Sequence, residues 1–194
     1  VSPMPEQKGA ARRAGRPPAQ LRRALTQLLA EKDLRSISVR ELTDRADINR
    51  GTFYAHYRDI YDLMEHLENE FFTELHQRLS RYTPQQLQGD LAPVLEDVLR
   101  LVSENRDLLP SLLDPQSSDR FFLRLSGVIF DMYRRGWTLV YPLGNGEEPN
   151  YCLSFVVSGM VGLVRSWAQR GFQEPPDAIA ALASRLIRSG LQSF

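Results

Sequence analysis

The chain has 194 residues, 42% of them hydrophobic and 25% charged, with 24 Lys/Arg set against 24 Asp/Glu. This is ordinary globular composition. It excludes wholesale disorder and, at about 100–200 residues per domain, fits one domain or a small one fused to a larger. A lone Cys152 excludes an internal disulfide framework and fits a reducing compartment. No basic stretch leads into an apolar one at the start, and the run from Phe155 to Val164 is about half a bilayer span. A cytoplasmic protein with no membrane partner is expected. The neutral total hides a division. Residues 1–60 carry twelve Lys/Arg against seven Asp/Glu, a net +5, and the remainder carries −5. A basic end that meets a polyanion has this asymmetry, and so does a basic tail with no partner.

Residues 1–17 are rich in Pro, Arg and Ala without apolar periodicity, and read as a flexible basic arm. Leu21, Ala24, Leu25, Leu28 and Leu29 then recur at i, i+3, i+4, i+7 and i+8, which predicts an amphipathic helix ending near Asp33. Ser38-Val39-Arg40-Glu41 has the form of a capping box, in which hydroxyl and carboxylate each satisfy an orphan amide. Val39, Leu42 and Ala46 give a stripe over about two turns. Asp47-Ile48-Asn49 breaks it, and Asn49 caps a second short helix from Arg50 to about Tyr57. Two short helices across a tight turn, packed by a longer first helix, predict a helix-turn-helix.

From Asp59 a long helix is expected, with Ile60, Leu63, Met64, Leu67, Phe71, Leu75 and Leu79 at helical spacing up to Thr83-Pro84. Further helices are predicted over Leu91 to Val102, Leu108 to Leu113 and Phe121 to Trp137, with loop chemistry over 141–149. Tyr151 to Gln169 is apolar nearly all round, a buried or interface helix, with Gly171 just past its end. Pro175-Pro176-Asp177 starts a last helix with Ile179, Leu182, Ala183, Leu186 and Ile187 on one face. No strand pattern is present. The expected fold is all-α, about nine helices, divided into the arm (1–17), a helix-turn-helix domain (18–62) and a helical regulatory and dimerisation domain (63–194).

The second helix of such a motif enters the major groove with its N-terminal residues at base edges. Here Phe53 and Tyr57, one turn apart, anchor its inner face, while Gly51, Tyr54 and Ala55 lie outside and Arg50 projects from the tip. Arg bonds bidentately to guanine, worth about 1–3 kcal/mol of discrimination. Thr52, His56 and Ser38 suit phosphate contacts.

The run Ser38-Val-Arg-Glu-Leu-Thr-Asp-Arg-Ala-Asp-Ile-Asn-Arg-Gly-Thr-Phe-Tyr-Ala-His-Tyr57, followed by Asp62-Leu63, resembles the DNA-binding domain of the TetR family of bacterial transcriptional regulators. The resemblance implies base contacts from Arg40, Arg50, Gly51 and Tyr54, and phosphate contacts from Ser38, Thr52, Tyr54 and His56. It covers about residues 18–65. One position departs: the family's phosphate-holding Lys is Ile60 here, and Arg58 is the nearby substitute. The pattern Phe155-x-x-Ser158-Gly159-x-x-Gly162, through Trp167 and Gly171, more loosely resembles the branch of dihydroxyacetone-utilisation activators.

The resemblance implies a homodimer formed through the last two long helices, which would present two recognition helices to a pseudo-palindromic operator. Ser154, Ser158, Gly162 and Ser166 make a small-residue stripe on the first of them. Ser158, Val161, Gly162, Ser166, Leu182 and Leu186 are the expected interface residues. Met64, Leu67, Phe71, Phe122, Phe130, Tyr133, Trp137, Tyr151 and Phe155 are the stock from which an effector pocket would be lined, and each also reads as plain core. Asp62, His66, Glu70 and Glu74 share a helix face, which reads as solvated rather than as a metal site. No P-loop, His-Glu-x-x-His or nucleophile elbow is present, so neither enzyme activity nor a cofactor is expected. The expected function is repression by operator binding, tuned by a small effector. The alternative is an interaction protein of the same fold that contacts another regulator instead of DNA.

Overall fold

In the computed structural model, the structure describes residues 17–87, 90–113, 118–134 and 146–191. The arm up to residue 16 and Trp137 lie outside them, as does the side chain of Tyr133. All regular structure among the described residues is helical, as expected. The chain forms two compact units, residues 1–67 and 68–194.

The first unit holds α1 (Pro17–Leu29), a 3₁₀ turn (Leu34–Ser36), α2 (Val39–Ala46), α3 (Arg50–Tyr54) and the start of α4 (Ile60–Leu79). Pro17 opens α1, where its missing N–H is lost from no hydrogen bond. Leu21, Leu25, Leu28, Leu42, Phe53 and Leu63 are fully buried and make the core. α1 packs on α2, and two ion pairs tie α2 side chains back to the turn after α1. Arg45 grips Glu31 bidentately at 2.8 and 3.0 Å, and Lys32 Nζ lies 2.6 Å from Glu41 Oε2. The second pair corrects the capping-box reading. Ser38 accepts from the Glu41 N–H at 3.2 Å, but the Glu41 carboxylate goes to Lys32 instead of back to the helix start. Charge-assisted bonding to an ammonium outcompetes a neutral amide.

The second unit holds the rest of α4, α5 (Pro84–Leu87), α6 (Ala92–Glu104), α7 (Leu109–Leu112), α8 (Ser118–Arg134), α9 (Glu148–Gln169) and α10 (Pro176–Leu191). α10 packs chiefly on α6 and also on α9, and α8 packs on α9. Arg78 joins α4 to α6: it reaches Glu74 and Glu104 at 2.5 Å and the Asp97 carbonyl at 3.2 Å. Burial opposes its charge, but the carboxylates more than offset this and hold its pKa above the ordinary value. Asp90 caps α6 through the Ala92 N–H (2.9 Å) and receives Ser184 and Arg188 from α10 at 3.0 and 3.1 Å. α9 ends as expected at Gly171, in the left-handed region at φ 70°. The Phe172 N–H bonds to the Trp167 carbonyl (3.0 Å) and the Gly171 N–H to that of Ala168 (2.9 Å), with the Trp167 and Phe172 rings edge to face. This is the Schellman closure with its apolar contact.

Two helix faces are set differently from the sequence pattern. On α10 the buried side chains are Ile179, Ala180, Ala183 and Ser184, so Leu182 is displaced to the margin and Leu186 is 60% exposed. α9 has 22 residues and is long and apolar enough by length and composition to cross a membrane, which the Phe155 to Val164 run alone is not. Most of it is not buried within the unit. Tyr151 is 75% and Phe155 72% exposed, and Ser154, Ser158, Gly159, Gly162 and Ser166 are exposed as well.

Between α4, α6, α8 and α9, with α7 and α10 contributing, the second unit encloses a cavity of about 120 Å³ lined wholly by apolar side chains, among them Phe71, Leu99, Leu125, Met160 and Ile187. Of the expected pocket residues whose side chains are described, Phe71 alone lines it. Met64 and Leu67 are buried in the first unit instead. Phe122 borders a neighbouring hollow, Phe130 lines neither, and Tyr151 and Phe155 point out. The reason is the rotation of α9. Its Leu153, Val157 and Val164 face the core, which turns positions 151 and 155 to the outside.

Candidate nucleic-acid interface

Local chemistry shapes the tip between α2 and α3. α2 ends at Asp47, in the left-handed region at φ 54° and ψ 47°, a conformation that short polar side chains tolerate. The Ile48 N–H bonds back to the Thr43 carbonyl at 3.1 Å. Asn49 then caps α3, its Oδ1 accepting from the Gly51 N–H at 2.7 Å. That cap also accounts for the glycine. A Cβ at position 51 would sit 3.3 Å from Asn49 Oδ1, so a side chain there crowds the atom that holds the helix start.

The α-helical run of α3 closes at Tyr54, shorter than expected. The amides of Ala55, His56 and Tyr57 still bond back to Gly51 and Phe53, so His56 sits on a tightening final turn. Phe53 is fully buried and Tyr57 nearly so. Their rings lie 5.8 Å apart, and Tyr57 stacks edge to face on His66 at 5.2 Å. With this inner face fixed, the outer one presents Arg50, Gly51, Tyr54 and His56 to solvent, with Thr52 half-buried beside them. Tyr54 is 58% exposed, held edge to face by Phe53 at 5.4 Å. From α2, Ser38 and Arg40 are also exposed. The Ser38 oxygen is engaged by Glu41 N–H, which leaves its own hydrogen to donate. Arg40 lies 3.8 Å from Asp44 across an exposed pair, a weak restraint.

Ile60 is buried, so nothing at that position reaches a phosphate. Arg58 is exposed and turned toward Asp62, its Nη2 3.2 Å from Oδ1, while its backbone N–H donates to Asp62 Oδ2 at 2.8 Å. The Asp62 N–H donates in turn to Asp59 Oδ1 at 2.8 Å, so the two aspartates cap α4. Asp62 is therefore committed locally, and so is Glu74, to Arg78. No cluster of metal-ligating side chains is present among the described residues.

The hydrogen bond from the Arg58 amide, then that from its guanidinium, hold the Asp62 carboxyl below its ordinary 3.8, and the Arg45 fork does the same for Glu31. Such groups stabilise the fold above their unfolded pKa, and this contribution is lost as pH falls through the lowered folded value. The melting temperature is accordingly expected to fall between pH 5 and pH 3. In a Glu31→Gln/Asp62→Asn double variant the fall is smaller, as differential scanning calorimetry would show.

Three of the twelve basic residues that gave the first sixty their charge, Lys32, Arg45 and Arg58, are thus paired within the fold. On α2 and α3 the outward cations that remain are Arg50 and the loosely held Arg40. An amphipathic short helix with a buried aromatic pair and an exposed Arg-Gly-x-x-Tyr face has the form of the second helix of a helix-turn-helix. The model of the bacterial regulatory proteins of the tetR family matches residues 21–67, and the transcriptional regulator C-terminal region of the same family matches residues 89–189. The chain belongs to the TetR family of transcriptional regulators. No curated protein sequence matches it.

Its fold is similar to solved structures of low identity. The dihydroxyacetone kinase operon activator DhaS is 14% identical (TM-score 0.65, covering 92% of this chain and 97% of that one). NalD, a repressor of a multidrug efflux pump in Pseudomonas aeruginosa, is 18% identical (0.67, covering 90% and 95%). SmeT, a repressor of an efflux pump from Stenotrophomonas maltophilia, is 16% identical (0.67, covering 89% of each).

Proposed function

We propose that the chain is a cytoplasmic repressor that binds a two-fold operator as a homodimer. Ser38, Arg40, Arg50, Gly51, Thr52, Tyr54, His56 and Arg58 contact DNA, and a small effector enters the second unit. The observation that carries the reading is the pair of outward faces. α3 offers a polar and aromatic face that its own unit leaves uncovered, and α9 offers an apolar one, with Tyr151 and Phe155 beside Gly159 and Gly162. Small residues let a second helix approach closely, and Ser158, Gly162 and Ser166 of α9 with Leu182 and Leu186 at the edge of α10 complete the patch. Val161 lies on its inner margin, where it also lines the cavity. A second copy rather than lipid covers this face, since α9 carries Arg165 and three exposed serines, Ser154, Ser158 and Ser166. Repression is the direction proposed because NalD and SmeT are repressors, although DhaS is an activator.

Selection of bound duplexes from a random pool, followed by footprinting, tests the reading. An inverted repeat with half-site centres ~34–36 Å apart or a multiple of that is expected, bound by an even number of chains. A single unrepeated site, or no enrichment, contradicts it. No enrichment together with capture of another regulator favours the interaction-protein alternative, for which the buried Ile60 is the specific support.

A further inference from the structure

The apolar cavity and the hollow beside it define a ligand more narrowly than "small effector". The hollow is bordered by Leu113, Phe121, Phe122, Ser158, Val161, Gly162 and Arg165, and it shares Leu113, Phe121 and Val161 with the cavity. These three side chains border both spaces, which therefore adjoin. On the cavity side no described residue contributes a polar side chain, so an ionised group inside would be desolvated without compensation, at a cost that excludes it. On the other side stands Arg165. It is half-buried, and one guanidinium nitrogen donates to the Leu113 carbonyl at 3.0 Å. Arg78, Arg124 and Arg188 in the same unit pair with carboxylates, whereas Arg165 faces none among the described residues. A guanidinium has five donors, and a single carbonyl leaves its fork open for a planar anion.

Size sets the rest. A cavity of about 120 Å³ is close to the engineered ~150 Å³ apolar cavity that stays dry and admits benzene, so it takes a body of about six to eight carbons rather than a long chain. Resting on the proposal that this unit holds an effector, we propose that the ligand is a short amphiphile, its hydrocarbon body in the cavity and an anionic head, carboxylate in the first instance, on Arg165. Ser158 and Gly162 at the rim of the hollow belong to the face assigned to the second copy, which gives an occupied site a direct path to the interface.

Calorimetric titration of the full chain without DNA, using octanoate and 1-octanol as probes, decides it. Octanoate is expected to bind at least about tenfold more tightly than octanol, the worth of one charge-assisted hydrogen bond. Arg165→Gln is expected to remove that preference and leave octanol binding unchanged, and Arg165→Lys to retain part of it. Val157→Phe, which fills the cavity, is expected to abolish binding of both while operator binding persists. Equal binding of the two probes, or a preference that survives Arg165→Gln, overturns the anionic head and leaves the effector site standing. Binding of neither by chain that still shifts DNA overturns both, and leaves the DNA-binding reading intact.

Discussion

Phe155→Arg is expected to convert the dimer to a monomer and to cost about 10²–10⁴ in operator affinity. Phe155 is 72% exposed, so its own unit loses little when it changes; surface substitutions of this kind stay within about 0.5 kcal/mol of native stability. In the proposed dimer the same side chain is buried against a second copy, and an unpaired guanidinium placed there is desolvated twice, once per protomer. Two linked reading heads gain their affinity over one head from effective concentration, which is the origin of the expected factor. Analytical ultracentrifugation at micromolar concentration reads the first effect and a gel shift on the selected duplex the second. A variant that remains dimeric moves the interface elsewhere. A monomer with native affinity would mean that one half-site suffices.

Phe53→Ala is expected to have the largest effect on folding. The ring is fully buried beneath α3, and its removal opens a cavity in a unit whose core is a handful of leucines around it. The cost is about 3–5 kcal/mol, comparable to the whole stability that so small a core supplies. DNA binding is therefore lost through unfolding of the first unit, visible as lost helical ellipticity and an early urea transition. Tyr54→Phe is the companion measurement. Its side chain is outside, so stability is expected to hold within about 0.5 kcal/mol while affinity falls by the phenol's contact. If Phe53→Ala leaves the urea transition unmoved, the ring is not what holds α3 in place.

How much of this was legible before the fold was known differs by region, for physical reasons. Around α2 and α3 the signals are local: Ser38 and Asn49 cap within two or three residues, and Phe53 and Tyr57 share a face one turn apart. Nothing distant was needed to place Arg50 or Tyr54 outside. The fate of Glu41 was different, because Lys32, nine residues upstream, reaches it only once α2 has docked. The cavity was harder still. Aromatic residues were the natural stock for a pocket, yet Tyr151 and Phe155 face out, and aliphatic side chains such as Val94, Leu125 and Met160 line the space. On an all-round apolar helix like α9, periodicity carries no phase, so only the packing of α8 and α10 decides which side turns inward. Arg165 carries no signal in the sequence either: its significance lies in Leu113, Phe121 and Val161, which tertiary packing brings beside it.

In the proposed function the exposed face of α3 reads DNA, with Arg50 at its tip. The most direct measurement is the affinity of native and Arg50→Ala chains for the selected duplex and for a scrambled one, each at two salt concentrations. Phosphate contacts give both duplexes a salt dependence, while a bidentate base contact separates them. The native chain is expected to prefer the selected duplex, and Arg50→Ala to lose about 5- to 150-fold per half-site on it, with little change on the scrambled one. Equal losses on both duplexes, or native affinity in the variant, would contradict it.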